Sequence, residues 1–102
     1  MKKQILKQMQ KKVEQQISAM QDELGNQEVE GVASGGMVVV KMNGKQEALS
    51  VKINPEVVIK EETDVLEDLV LVALKDALEK SQQIGMQKMS QLTGGLKIPG
   101  FS

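Results

Sequence analysis

The sequence predicts an α+β fold, α-β-β-β-α, in which a three-stranded antiparallel meander lies between two long helices and the unit dimerises. Three observations carry it. Apolar residues recur every three or four positions from Ile5 to Leu24, two turn dipeptides (Gly35-Gly36 and Asn43-Gly44) separate apolar runs, and a second helical pattern runs from Val65 to Leu78. Residues 1–93 form one domain on this reading, and residues 94–102, which hold the only phenylalanine, form a flexible glycine-rich tail.

The first helix is set by Ile5, Met9, Val13, Ile17, Met20 and Leu24, which with Leu6 occupy an arc of roughly 120° at the helical period. Gly25-Asn26 supplies its stop. Lys3, Lys7 and Lys11 follow one another at i+4 away from that arc, so they form a solvent-facing row.

Both turn dipeptides accept the positive φ angles of two-residue hairpin loops. A loop at Gly35-Gly36 sets Val29, Gly31 and Ala33 opposite Met42, Val40 and Val38, and one at Asn43-Gly44 sets Val38 opposite Leu49. One face of the meander then gathers Val29, Ala33, Val38, Val40, Met42, Leu49, Val51 and Ile53. Asn54-Pro55 ends the third strand, and Asp64 with Glu67 reads as a capping box for the second helix. That helix continues, more polar, to about Met89.

The apolar residues of the second helix span roughly 240°, about twice the stripe needed to cover one layer. Val32, Met37 and Val39 leave further apolar surface on the other side of the sheet. A symmetric homodimer buries both, with Val32, Met37, Val39, Leu69, Val70, Val72 and Leu74 as its interface.

Composition excludes much chemistry. The chain has no cysteine or histidine, so disulfides, Cys/His zinc sites and imidazole catalysis are ruled out. Gly35-Gly36 lacks the phosphate-loop pattern, and the acids Glu61, Glu62, Asp64, Glu67 and Asp68 fall where a helix start favours them. No enzyme, cofactor, metal or small-molecule substrate is expected. No apolar run has the length of a signal peptide or membrane span, so no membrane partner is expected. With aromatics nearly absent, Met9, Met20, Met37 and Met42 read as core filler.

The formal net charge is −1, yet residues 1–13 hold Lys2, Lys3, Lys7, Lys11 and Lys12 with no acid. All 13 basic residues are lysine, and tyrosine, tryptophan and histidine are absent. Bidentate guanine readout by arginine and base stacking on aromatic rings are therefore both missing, which leaves phosphate contact to duplex DNA. A protein-interaction scaffold with little DNA binding is the rival reading.

The stretches VEGVASGGMVVVKMNGKQEALSVKINPEVV, LEDLVLVALKDALEKS and MSQLTGGLKIPG, in this order after a lysine-rich helix, resemble the bacterial YbaB/EbfC family of nucleoid-associated proteins. The resemblance implies a tweezer-shaped homodimer that binds double-stranded DNA in the cytoplasm at the nucleoid, with roles in compaction or gene regulation. It implies DNA contacts from basic positions on the helical arms: Lys2, Lys3, Lys7, Lys11 and Lys12, and additionally Lys80 and Lys88. The turn reads ASGGM where that family often has a third glycine.

Overall fold

The structure, a computed structural model, describes the backbone of residues 2–92 and the side chains of residues 9–91. The expected tail at 94–102 lies outside the described residues. The order is α1 (Lys2–Asn26), β1 (Glu28–Ala33), β2 (Val38–Asn43), β3 (Ala48–Ile53) and α2 (Thr63–Leu92), with short 3-10 turns at Ser34–Gly36, Pro55–Val57 and Lys60–Glu62. The sheet is an antiparallel meander in the order β1-β2-β3.

The first hairpin has the expected register: Val29, Gly31 and Ala33 pair with Met42, Val40 and Val38. Its loop is wider than two residues. Ser34, Gly35 and Gly36 all have positive φ, and the Met37 amide donates to the Ala33 carbonyl at 3.0 Å. The second hairpin departs from expectation by four residues, since Val38 pairs with Ile53 instead of Leu49. Here the Gln46 amide donates to the Asn43 carbonyl, Asn43 in turn donates to the Glu47 carbonyl, and Gln46 adopts φ 64°. That is a three-residue loop closed by a left-handed residue, and the register slips once more between Lys41 and Met42. Because the total shift is even, Val51 and Ile53 keep the same face as Val38 and Val40.

The core is small. Ala33, Val38, Val40 and Met42 meet Ala73 and Ala77 of α2, with Val29, Val57, Leu66, Leu69, Val70 and Leu78 packed around them. The helix sits so close to β1 that a Cβ on Gly31 would collide with the Ala73 carbonyl and the Ala77 backbone. Packing chiefly over β1, and then over β2, α2 leaves β3 uncovered. Leu49, Val51 and Ile53, expected on the buried face, are therefore exposed. The start of α2 also differs from the capping box read at Asp64: the helix begins at Thr63, whose hydroxyl donates to the Lys60 carbonyl at 3.1 Å.

A polar knot joins α1, the second hairpin and α2. The Ser81 hydroxyl, fully buried on α2, donates to the Asn43 carbonyl at 2.7 Å and accepts from the Gln46 amide at 3.1 Å. The Asn43 side chain accepts from the Lys45 and Glu47 amides and donates to Glu47 Oε1 and to the Gly25 carbonyl at the end of α1. Gly44 donates to the Leu24 carbonyl at 2.8 Å, satisfying a group that the end of a helix leaves open. Among the described residues no buried side-chain polar atom lacks a partner.

This knot fixes the direction of α1. Leu24 and Ile84 both lie against Gly44, whereas Gln16 and Gln91 line one cleft farther out. Residue numbers fall along α1 as they rise along α2, so the helices are antiparallel and leave the sheet together as an arm. The molecule measures 71 × 27 × 17 Å, and its radius of gyration of 19.6 Å compares with about 13 Å for a compact chain this long.

Candidate nucleic-acid interface

The α1 helix rises about 1.5 Å per residue, so its stretch before Gln16 reaches roughly 20 Å past the point where Gln91 meets it. This projecting segment carries the lysine row. Lys11 and Lys12 are exposed, and among the described residues no ion pair engages either of them. Lys2, Lys3 and Lys7 fall on the first turns of the same helix, and their side chains lie outside the described residues. Lys3, Lys7 and Lys11 step along the axis by about 6 Å each, a run of about 12 Å that matches the rise of three to four base pairs.

The near-zero net charge conceals a polarity along the long axis. Residues 1–13 contribute five lysines and no acid, so the remainder of the chain carries eight lysines against fourteen acids. Glu56, Glu61, Glu62, Asp64, Glu67 and Asp68 gather at the start of α2, the end far from the arm tip. A polyanion therefore meets an attractive potential at the arm and a repulsive one at the base.

Two other lysines named from the sequence are engaged within the chain. Lys80 Nζ pairs with Asp76 Oδ2 at 3.1 Å and donates to the Glu30 carbonyl at 2.8 Å, while Asp76 Oδ2 also accepts from the Val32 amide at 3.0 Å. These contacts close the outer edge of β1, whose free backbone groups would otherwise offer a pairing template. The Val32 amide foremost, and Lys80 next, hold the Asp76 carboxyl below its ordinary value of 3.8. Lys88 Nζ bridges to Glu23 Oε2 at 2.9 Å and ties α1 to α2 in the arm.

The residues named for self-association separate into two groups. Val32, Val72 and Leu74 are exposed, while Met37, Val39, Leu69 and Val70 are half-buried, the last two against the core of their own chain. The sequence reading did not foresee that Leu49, Val51 and Ile53 on β3 would be exposed, as are Val58, Ile59 and Leu71. The excess apolar arc of α2 gave notice that some surface was left over. What assigns it to β3 is the small-residue contact of Gly31 with Ala73 and Ala77, which draws α2 toward β1.

The cleft between the helices, about 300 Å³ and lined by Gln16, Ala19, Met20, Glu23, Lys88 and Gln91, holds no cluster of titratable groups suited to catalysis. Among the described residues no group of three or more acids could hold a metal ion, and no helix is long and apolar enough to cross a membrane.

Comparison with known proteins shows the family and the fold. Residues 1–96 match the model of the YbaB/EbfC DNA-binding family. A nucleoid-associated protein of Chloroflexus aggregans is 49% identical over 92 residues, spanning 90% of this chain and 92% of its own. One of Pelotomaculum thermopropionicum is 44% identical over 97 residues, spanning 95% and 91%. The crystal structure of an uncharacterized protein from Helicobacter pylori superposes with a TM-score of 0.78 at 18% identity, covering 87% of this chain and 94% of that one, a likeness of fold.

Proposed function

The chain belongs to the YbaB/EbfC DNA-binding family of nucleoid-associated proteins, which is not a family of enzymes, and from that premise we propose that it holds double-stranded DNA as a homodimer through lysine-phosphate contacts at the nucleoid. The observation that carries this reading is the projecting end of α1, with five lysines in thirteen residues and no acid. Lys2, Lys3, Lys7, Lys11 and Lys12 touch phosphates. Lys80 and Lys88 contribute only by exchanging the partners they hold within the chain. Contacts of this kind position the protein without reading sequence, so binding is largely sequence-independent and salt-sensitive. Compaction of the nucleoid and effects on gene expression follow from occupancy of many sites.

Dimerisation places two arms on one duplex and doubles the positive field. The apolar surface left on β3 and on the flank of α2 supports it: Val51 is 53% exposed, Leu49 48% and Leu71 48%. Large apolar side chains left exposed together on a small chain point to an interface. The outer edge of β3, unlike that of β1, has no side-chain closure of the Asp76-Lys80 type among the described residues.

The test is binding to a random duplex of about 30 base pairs over a salt series, with a Lys3/Lys7/Lys11→Gln variant beside the parent. Each phosphate contact contributes about 0.9 to the log-log salt slope, so removing three lysines from each of two protomers lowers the slope by up to about 5. An unchanged slope in the variant refutes the lysine arm. Absence of binding by a folded parent even at low salt refutes the DNA reading as a whole.

A further inference from the structure

The lysine face of the arm does not end at Lys11. Lys7 and Gly25 are eighteen residues apart, about five whole helical turns, so Gly25 stands on the line of Lys7, with Lys3 and Lys11 about 40° to either side. Gly25 has no side chain to offer there. The stem of Lys45, from the tip of the second hairpin, lies over it instead, with Lys45 Cδ 3.4 Å from the point that a Cβ on Gly25 would occupy. The polar knot holds this lysine in place. Its amide donates to Asn43 Oδ1 at 2.9 Å, while Asn43 Nδ2 donates to the Gly25 carbonyl at 3.5 Å and to Glu47 Oε1 at 2.9 Å. The Lys45 side chain is exposed, and among the described residues no ion pair engages it.

We infer that Lys45 is a second phosphate-binding point, at the root of the arm, which together with the lysine row fixes the direction of α1 along the duplex. It deepens the reading of the chain as a binder of duplex DNA and rests on it. Gly25 lies about 21 Å along the helix axis from Lys11, the rise of about six base pairs. Contact at the tip alone leaves the arm free to swing about that end, whereas two points at this separation hold it along one side of the duplex. Between them Ser18 and Gln21 are exposed within about 40° of the same line, and a hydroxyl and an amide are neutral donors of the kind that meet phosphate oxygens. Glu14 also lies on this face and Asp22 stands about 60° from its line, so positive charge is divided between the two ends instead of running unbroken. Glu23 points about 160° away and is taken up by Lys88. The second hairpin thus supplies, from the sheet, the basic residue that α1 lacks near its end.

The test compares Lys45→Gln with Lys60→Gln, which removes the same charge from the exposed turn before α2, at the end of the molecule far from the arm tip. Binding of the full-length protein to a random duplex is followed over a salt series. Lys45→Gln should weaken binding several-fold at low salt and lower the log-log salt slope by up to about 2 for two protomers, one contact of about 0.9 from each. Lys60→Gln should match the parent, and Lys45→Arg should restore both affinity and slope. A parent-like slope in Lys45→Gln overturns the inference, as do equal losses in Lys45→Gln and Lys60→Gln, since total charge and not its place would then govern binding. Loss in Lys45→Gln that Lys45→Arg fails to restore, with a lowered urea midpoint, also overturns it and makes Lys45 a packing residue over Gly25. These three results all require a parent that binds. A folded parent that binds no duplex overturns the DNA reading, and the inference with it.

Discussion

Gly31→Ala should cost the protein about 3 kcal/mol, because the added methyl group has nowhere to go. An ideal Cβ at Gly31 would stand 2.6 Å from the Ala77 Cβ and closer still to the Ala73 carbonyl oxygen and the Ala77 amide nitrogen. Ordinary contact begins at about 3.4 Å, so α2 must lift from β1 by roughly 1 Å. The obstructing atoms are mostly backbone and cannot turn aside as a flexible side chain would. A gap of that size forfeits a quarter to a half of each dispersion contact along the α2-β1 seam, and overpacking of well-filled sites costs about 1–3 kcal/mol. The upper end applies here, since among the described residues the buried core at this seam is Ala33, Val38, Val40, Met42, Ala73 and Ala77. Thermal unfolding followed by circular dichroism at fixed protein concentration should show a Tm lower by about 12–24 °C. Gly35→Ala is the control. Its site is open, with nothing within 4 Å, and only the left-handed φ of 68° opposes a side chain, at about 1–2 kcal/mol. If Gly31→Ala shifts Tm no more than Gly35→Ala does, α2 does not lie directly on the β1 backbone and the account of why β3 is left uncovered fails.

Other perturbations address the remaining joints. Ser81→Ala removes a donor to the Asn43 carbonyl and an acceptor for the Gln46 amide, so the urea midpoint should fall by the equivalent of about 1–3 kcal/mol, and a loss under about 0.5 kcal/mol refutes the role of the knot. The Asp76 carboxyl is held below 3.8, so its stabilising contribution is complete above that pH and is lost as pH falls further, through the folded-state value. Asp76→Asn should remove this acid-dependent component and speed hydrogen exchange at the Val32 amide, and identical acid profiles for parent and variant count against it. Val51→Lys should yield a folded monomer by sedimentation with an unchanged far-ultraviolet spectrum, whereas a persistent dimer shows that β3 is not the interface.

Legibility from sequence differed between neighbouring hairpins for a physical reason. The β1-β2 register was readable because alternation on both strands and the position of the Gly-Gly turn agree on one pairing. The β2-β3 register was not, because Asn43-Gly44 is also the beginning of a three-residue loop in which a non-glycine, Gln46, takes the left-handed angle. The pattern of faces survived that error since side chains alternate with period two. The lysine row and its lack of nearby acids needed no structure at all. The commitments of Lys80 and Lys88 did, because their partners Glu30 and Glu23 lie far away in the chain.

By itself, then, the sequence determined the order of elements, the helical faces, the first register and the placement of positive charge, all properties of local spacing. The tertiary structure alone decided which strand α2 covers, which apolar residues remain outside and that Lys80 and Lys88 are held within the chain. Those outcomes depend on contacts between distant segments: Gly31 lets Ala73 and Ala77 approach, Ser81 meets Asn43, and α1 is thereby carried out beyond the end of α2. Period and composition establish that an apolar face exists, but only the shapes of the surfaces that meet determine what covers it.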